Sequence, residues 1–303
     1  MDVHRLELLR ELSDRGSITA VAEATNRTVS AVSQQLKVLE REAGVPLTEK
    51  SGRGLALTGA GRMLAETARD VAVALQRADA VWEEFIQQPR GEVSLTLFPT
   101  GGQMLLPGLL DAVARMPGLT LRASDQNPFL PDFADLTPDF DIVLADSFGM
   151  FPSWVERGLT MVKLFDEPLD VALPETHPLG TKASLAPRDV VGETWIGTLA
   201  GYPFDRILRQ IEAVTGTPAR VAQRFVDNGI VESLVSTGHG IAILPRFTTR
   251  DHENGIITRP LTGIRSQRQI SALMRPDRAE RPSVRLVIEA LRMLGREITA
   301  QHS

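Results

Sequence analysis

The chain has 303 residues, 43% of them hydrophobic and 23% charged, with a formal net charge of -5, which at roughly 150 residues per domain is enough for about two ordinary cores. Cysteine is absent; this excludes disulfides, thiolate metal sites, cysteine nucleophiles and a thiol redox switch, and fits a reducing cytoplasm, where this reading places the chain. No apolar run reaches the roughly 18 residues of a membrane span, and the N-terminus MDVHRLELLRE carries acids and no apolar leader segment, so no membrane partner is expected.

Residues 1 to 88 carry a nearly continuous helical pattern, and from Pro89 onward strands, Gly and Pro alternate with shorter helices. Leu6, Leu9 and Leu12 share one helix face before a Gly16 stop, and Ser17 caps the next segment, ITAVAEAT. Thr28 caps a third helix, VSAVSQQLKVLEREAG, ended by Gly44. Val29, Val32, Leu36 and Leu39 form its core stripe, while Ser30, Ser33, Gln34, Lys37 and Arg41 lie opposite. Short donors and acceptors near the helix start, with cations later, suit a helix entering a DNA groove: they approach base edges while Lys or Arg reaches phosphate. A solvated face is the competing reading.

PLTEKSGRGLALTGAG fits two short strands joined by a basic turn at Arg53, a wing; no Gly-Lys-Ser/Thr follows SGRG to make a phosphate loop. From 61 to 88 a long helix spaces Leu64, Ala68, Val71, Leu75, Ala78, Trp82 and Phe85 by alternating steps of four and three. That is a seam for a helix partner, a second copy or the chain's own C-terminal part.

The remainder, 92–303, reads as α/β with mixed sheets, from strands such as VSLTL, LTLRA, FDIVLA, LDVAL, GIAILP and RQISALM between helical stretches. Ligands of such sheets gather where strands end and helix N-termini offer free N–H groups. Three segments there, Thr100-Gly101-Gly102, Thr198-Leu199 and Asn228-Gly229, read as loops able to line one cleft. A carboxylate or amino acid suits them, and glycine turns or caps are the alternative. Asp125, Asp146 and Asp227 also end strands. Catalytic chemistry finds no inventory: STGHG lacks the Gly-x-Ser-x-Gly order, and the five His include no pair at metal-ligand spacing. Neither cofactor nor metal is expected.

With these residues in view the chain resembles a LysR-type transcriptional regulator from end to end. The specific part is SITAVAEATNRTVSAVSQQLKVLEREAGVPLTEKSGRGLALTGAG; looser support comes from LLPGLLDAVARMPGLTL, FDIVLAD, PLDVALPETHPL and STGHGIAILP. The resemblance implies a winged helix-turn-helix domain (1–60), a dimerising linker helix (61–88) and an effector domain of two Rossmann-like subdomains like a periplasmic binding protein. Subdomain I would be 92–161 with 266–303, and subdomain II 162–265. It further implies double-stranded DNA, a small-molecule effector and a homodimer or homotetramer as partners, with DNA-facing residues at Thr28, Ser30, Ser33, Gln34, Lys37 and Arg53. The sequence departs from the family at Thr48, Gly54 and Val21, and at NPFLPDFADLTPDFD, where Pro128, Pro131 and Pro138 oppose the helix usual there. A solute-binding protein or an enzyme with N-terminal assembly helices is the alternative reading.

Overall fold

Each of the first three helices begins on a side chain that closes its first turn. Asp2 Oδ1 accepts from the His4 N–H at 2.9 Å ahead of α1 (Val3–Arg15), Ser17 caps α2 (Ile18–Ala24), and Thr28 Oγ1 accepts from the Ala31 N–H at 3.2 Å ahead of α3 (Val29–Ala43). Gly16 and Gly44 end α1 and α3 at φ of 65° and 73°, left-handed backbone that favours glycine. The computed structural model describes all residues except 52–53, 86–89, 127–132, 150–151, 250–254 and 303.

Leu8, Leu9, Leu12, Val21, Val32, Leu36 and Leu39 bury together as the head's core. Val29 does not join them and is 43% exposed, because as the first residue of α3 it precedes the packed stripe. The wing forms from β1 (Thr48–Ser51) and β2 (Gly54–Leu57), antiparallel. Its base is fixed by Glu40, whose Oε1 accepts from the N–H of Leu47 and from both the N–H and the hydroxyl of Thr48, at 2.8 to 3.0 Å. The long helix α4 (Gly59–Phe85) then passes so close beneath that a Cβ at Gly61 would stand 2.0 Å from the Leu47 carbonyl oxygen. The heptad seam of α4 divides: Leu64 packs into the head core and Ala68 is buried, whereas Leu75 and Trp82 are exposed, as is Val81 beside them.

From residue 91 the order is β3 (Gly91–Leu97), α5 (Pro99–Ala114), β4 (Leu119–Asp125), β5 (Ile142–Ser147), α6 (Pro152–Glu156), β6 (Thr160–Pro174) and α7 (Pro187–Val190). There follow β7 (Thr194–Gly197), α8 (Asp205–Thr215), β8 (Arg220–Arg224), α9 (Asn228–Ser236), β9 (Ala242–Pro245), β10 (Ile256–Arg259), β11 (Gln267–Met274), α10 (Pro276–Ala279) and α11 (Pro282–Gln301). Pro99 to Gly102, read from sequence as a loop, are instead the first turn of α5. Pro99 stands where a missing N–H costs nothing and its fixed φ is already helical. Residues 133–136, part of the proline-rich departure, form one 3-10 turn, and Pro128 and Pro131 lie outside the described residues.

The main sheet runs β10-β6-β11-β5-β3-β4, with β9 also on β6. β6 is 15 residues long and serves two bodies: its first half pairs with β11, its second with β9 and β10. The apolar core around β3, β5, α5 and α11 flanks the first half; a second core around β9, β7 and α8 flanks the other. The chain crosses between them at Pro168–Leu169 and returns at Ser266, where the Leu169 N–H donates to the Ser266 carbonyl at 2.9 Å.

Candidate functional site

At the crossing, Arg268, the second residue of β11, stands opposite Glu167 of β6 in the strand register. Arg268 is 3% exposed and Glu167 0%. The Arg268 Nε donates to Glu167 Oε2 at 2.7 Å, Nη1 to Asp146 Oδ2 at 3.1 Å and Nη2 to Thr100 Oγ1 at 2.7 Å. Its guanidinium carbon lies 4.9 Å from the Phe98 ring centroid and 5.3 Å from that of Phe204. Phe98, Thr100 and Asp146 belong to the β3–α5 and β5 side, Phe204 to the turn before α8, so one side chain ties both halves together. Burial opposes the charge of Arg268, but Glu167 and Asp146 more than offset this and hold its pKa above the ordinary range. Burial, reinforced by Asp146, pushes the Tyr202 phenol up to about 12, so that Tyr202 stays a neutral donor.

One guanidinium against two carboxylates leaves a formal excess of one negative charge. The hydroxyls of Thr96, Ser147 and Thr198, at or just past the carboxyl ends of strands, are buried with no hydrogen-bond partner among the described residues. Thr100 thus touches Arg268 directly, with Gly101 beside it in the same turn and the Gly102 N–H donating to the Phe98 carbonyl. Thr198 and Leu199 follow β7, and the Thr198 carbonyl accepts from Arg224, which also binds Asp205 at 2.9 Å. Asn228 and Gly229 open α9 behind its cap Asp227; among the described residues no hydrogen bond joins them to Thr100 or Thr198. Sequence reading missed Arg268, Glu167, Phe98, Phe204 and Tyr202; an arginine near the start of a strand ending in the apolar run ALM was the available signal.

On the head, Thr28, Ser30, Gln34 and Lys37 are exposed and Ser33 is half-buried on the outer face of α3, with the Thr28 hydroxyl 3.0 Å from that of Ser30. Gln34, Lys37 and Arg41 line an open groove of about 670 Å³ at the far end of the helix. Arg53 lies outside the described residues.

Two family descriptions cover the chain: "LysR substrate binding domain" over residues 86–295 and "Bacterial regulatory helix-turn-helix protein, lysR family" over residues 3–62. The chain belongs to the LysR family of transcriptional regulators. The "DNA-binding transcriptional dual regulator OxyR" of Escherichia coli K12 is 24% identical over 298 residues, 96% of this chain and 95% of that protein. The "HTH-type transcriptional regulator MetR" of Salmonella typhimurium is 27% identical over 256 residues, 84% and 77%. Among solved structures, full-length OxyR from Pseudomonas aeruginosa superposes with TM-score 0.62 at 20% identity, over 97% of this chain and 98% of that one. Full-length CbnR complexed with its target DNA gives 0.55 at 20% identity, over 97% and 100%. The LysR fold is thus a helical helix-turn-helix region followed by an α/β effector-binding domain, and these relatives are transcription regulators, not enzymes, which removes the solute-binding and enzyme alternative. Among the described residues no helix is long and apolar enough to cross a membrane.

Replacing Arg268 by Met would leave Glu167 and Asp146 buried without their cation. Arg268→Met should lower unfolding free energy by about 3–5 kcal/mol in urea titrations, against less than about 1 kcal/mol if the carboxylates find other partners.

Proposed function

We propose that this regulator reads its operator with the outer face of α3 and answers a small carboxylate-bearing effector, an amino acid fitting best, in the cleft around Arg268. The observation that carries the effector reading is the charge count there. A ligand carboxylate is served by Arg268 and by the N-terminal end of α5, and an ammonium group by the carboxylates that outnumber Arg268. Thr100, Gly101, Thr198 and Leu199 would contact the ligand first, with Gly102, Asn228 and Gly229 around them. Without cysteine, thiol oxidation is not the signal.

The division we infer is a DNA-binding head at 1–60, a linker segment at 61–88 that includes most of α4, and an effector domain at 92–303. Ligand closure between the two halves of that domain would reset the spacing of heads on a bent site, by no more than its differential affinity for the two arrangements. The assembly we infer is a homodimer, or a homotetramer built from it, joined along the exposed half of α4 at Leu75 and Val81. A buried carboxylate there should dissociate it, so Leu75→Glu should sediment as a monomer; an oligomer of unchanged size would place the interface elsewhere.

On operator DNA, Gln34→Ala should weaken binding by about 1–3 kcal/mol at a single base pair and flatten preference there. Lys37→Ala should weaken all sequences alike and lower the salt slope by about one phosphate, as Arg53→Ala would for the wing. Titration of each purified variant across a salt series reads both effects, and unchanged affinity in folded variants would overturn the assignment.

Thr100→Val preserves shape but removes the acceptor for the Arg268 Nη2. That variant should bind operator as the wild type does and lose effector response in a reporter assay. The effector itself can be sought by thermal shift across the amino acids and simple carboxylates. At 100 times its dissociation constant it adds about 2.7 kcal/mol of stability, and shifts by carboxylates lacking an amino group as large as those by amino acids would remove the need for the ammonium contact.

A further inference from the structure

The head does not hang free on its linker. Arg10 and Glu11 lie on α1 among Leu8, Leu9 and Leu12; both are charged, and both are nevertheless buried, at 5% and 7% exposure. What buries them is the effector domain. Arg10 Nη1 donates to Asp277 Oδ2 at 2.9 Å, Arg275 Nε donates to Asp277 Oδ1 at 3.3 Å, Arg275 Nη1 donates to Glu11 Oε1 at 2.8 Å, and Arg10 Nη2 donates to the same Glu11 oxygen at 3.5 Å. These four bonds close a ring of alternating sign, with two residues from the head and two from the effector domain, Arg275 5% and Asp277 9% exposed.

Further pairs surround it. Arg15 reaches Asp139 at 2.7 Å and the Pro138 carbonyl at 3.0 Å, Arg69 of α4 pairs with Asp14 at 2.9 Å, and Arg77 of α4 pairs with Glu280 at 2.9 Å. Burial raises the cost of ionising Glu11 and Asp277, yet Arg275 and Arg10 overcome it and hold both carboxyls below their ordinary range. The ring is therefore charged as well as closed. Buried ion pairs add little net stability over apolar packing, because desolvation offsets attraction, but they tolerate few alternative geometries. A head docked through such a ring is held in one orientation.

The placement of the ring on the strand scaffold gives that orientation a use. Arg275 directly follows β11, and Arg268 stands at the other end of the same strand, about 23 Å away at 3.3 Å per residue. Meanwhile Ser30, Gln34 and Lys37 remain exposed while the ring is formed, so docking leaves the reading face open. We propose that this ion-pair ring is the joint through which the effector domain sets the orientation of its own DNA-binding head. The joint stands on the ring's geometry; that a cleft ligand acts through it rests on the effector reading above.

Because the chain has no cysteine, a pair of spin labels can be placed at Glu23→Cys on α2 and Glu297→Cys on α11, both exposed. Distances are then measured in the full chain diluted into excess unlabelled chain, so that only pairs within one copy are read. The intact ring should give one narrow distance distribution. Glu11→Gln or Arg275→Gln should widen it at least twofold, whereas Arg5→Gln, which breaks the Arg5–Glu42 pair within the head, should keep the narrow form. Narrow distributions in both ring variants, with circular dichroism showing them folded, would overturn the proposal, as would an Arg5→Gln chain as broad as either. Should one ring variant fail to fold, Arg10→Gln, which removes the other cation of the ring, takes its place. Neither DNA nor effector is present, so this result is independent of whether the cleft takes an amino acid.

Discussion

A guanidinium buried between two carboxylates is the constraint around which the effector domain is arranged. Arg268 cannot be desolvated alone, and its bonds to Glu167, Asp146 and Thr100 draw on residues separated from it by 101, 122 and 168 positions. To satisfy it, β11 must lie beside β6 in the register that sets Arg268 against Glu167, β5 must end beside them, and α5 must begin with its first turn at the same point. The crossing between the two halves, the aromatic pair Phe98 and Phe204 on the guanidinium, and the unpartnered hydroxyls nearby all follow from where that charge sits.

The same logic separates this site from the head. Recognition of DNA uses exposed side chains on a rigid helix, where the protein's task is to hold small polar groups outward against a core of Val32, Leu36 and Leu39. The effector site we propose is made of groups that are already buried and already paired, so a ligand there would exchange contacts rather than add them. Such a site discriminates strongly, because an incomplete ligand leaves desolvated partners behind.

Much of the head was legible in sequence because its determinants are local: caps at Ser17 and Thr28, stops at Gly16 and Gly44, and a helical stripe of apolar residues. Val29 fits the stripe by angle and is exposed all the same, since periodicity does not report where the packing partner ends. In the effector domain, the alternation of strands and helices was visible, yet the first half of β6 was not, because TMVKLFDEP mixes charges with apolar residues in a strand that changes surroundings along its length. Thr100 was found through its place after a strand. Arg268 was not, because burial of a cation depends on partners more than a hundred residues away, and nothing in RQISALM itself announces them.

The pairing of β6 with β11 slips once, between Ile270 and Ser271: Ile270 faces Phe165 and Ser271 faces Lys163, so Leu164 is an extra residue. Successive residues of a strand alternate between faces, yet Val162, Leu164 and Phe165 all join the same core. The bulge thus reverses the inside–outside parity of everything that follows, turning Glu167 inward and leaving Asp166 to pair with Lys163 at the surface. A chain one residue shorter at this point would keep every side chain of the cleft in its composition and send the carboxylate needed by Arg268 to the opposite face of the sheet. The chemistry of the cleft is in this sense counted out in residues, and an insertion or deletion there is a change of charge pattern even when no charged residue is touched.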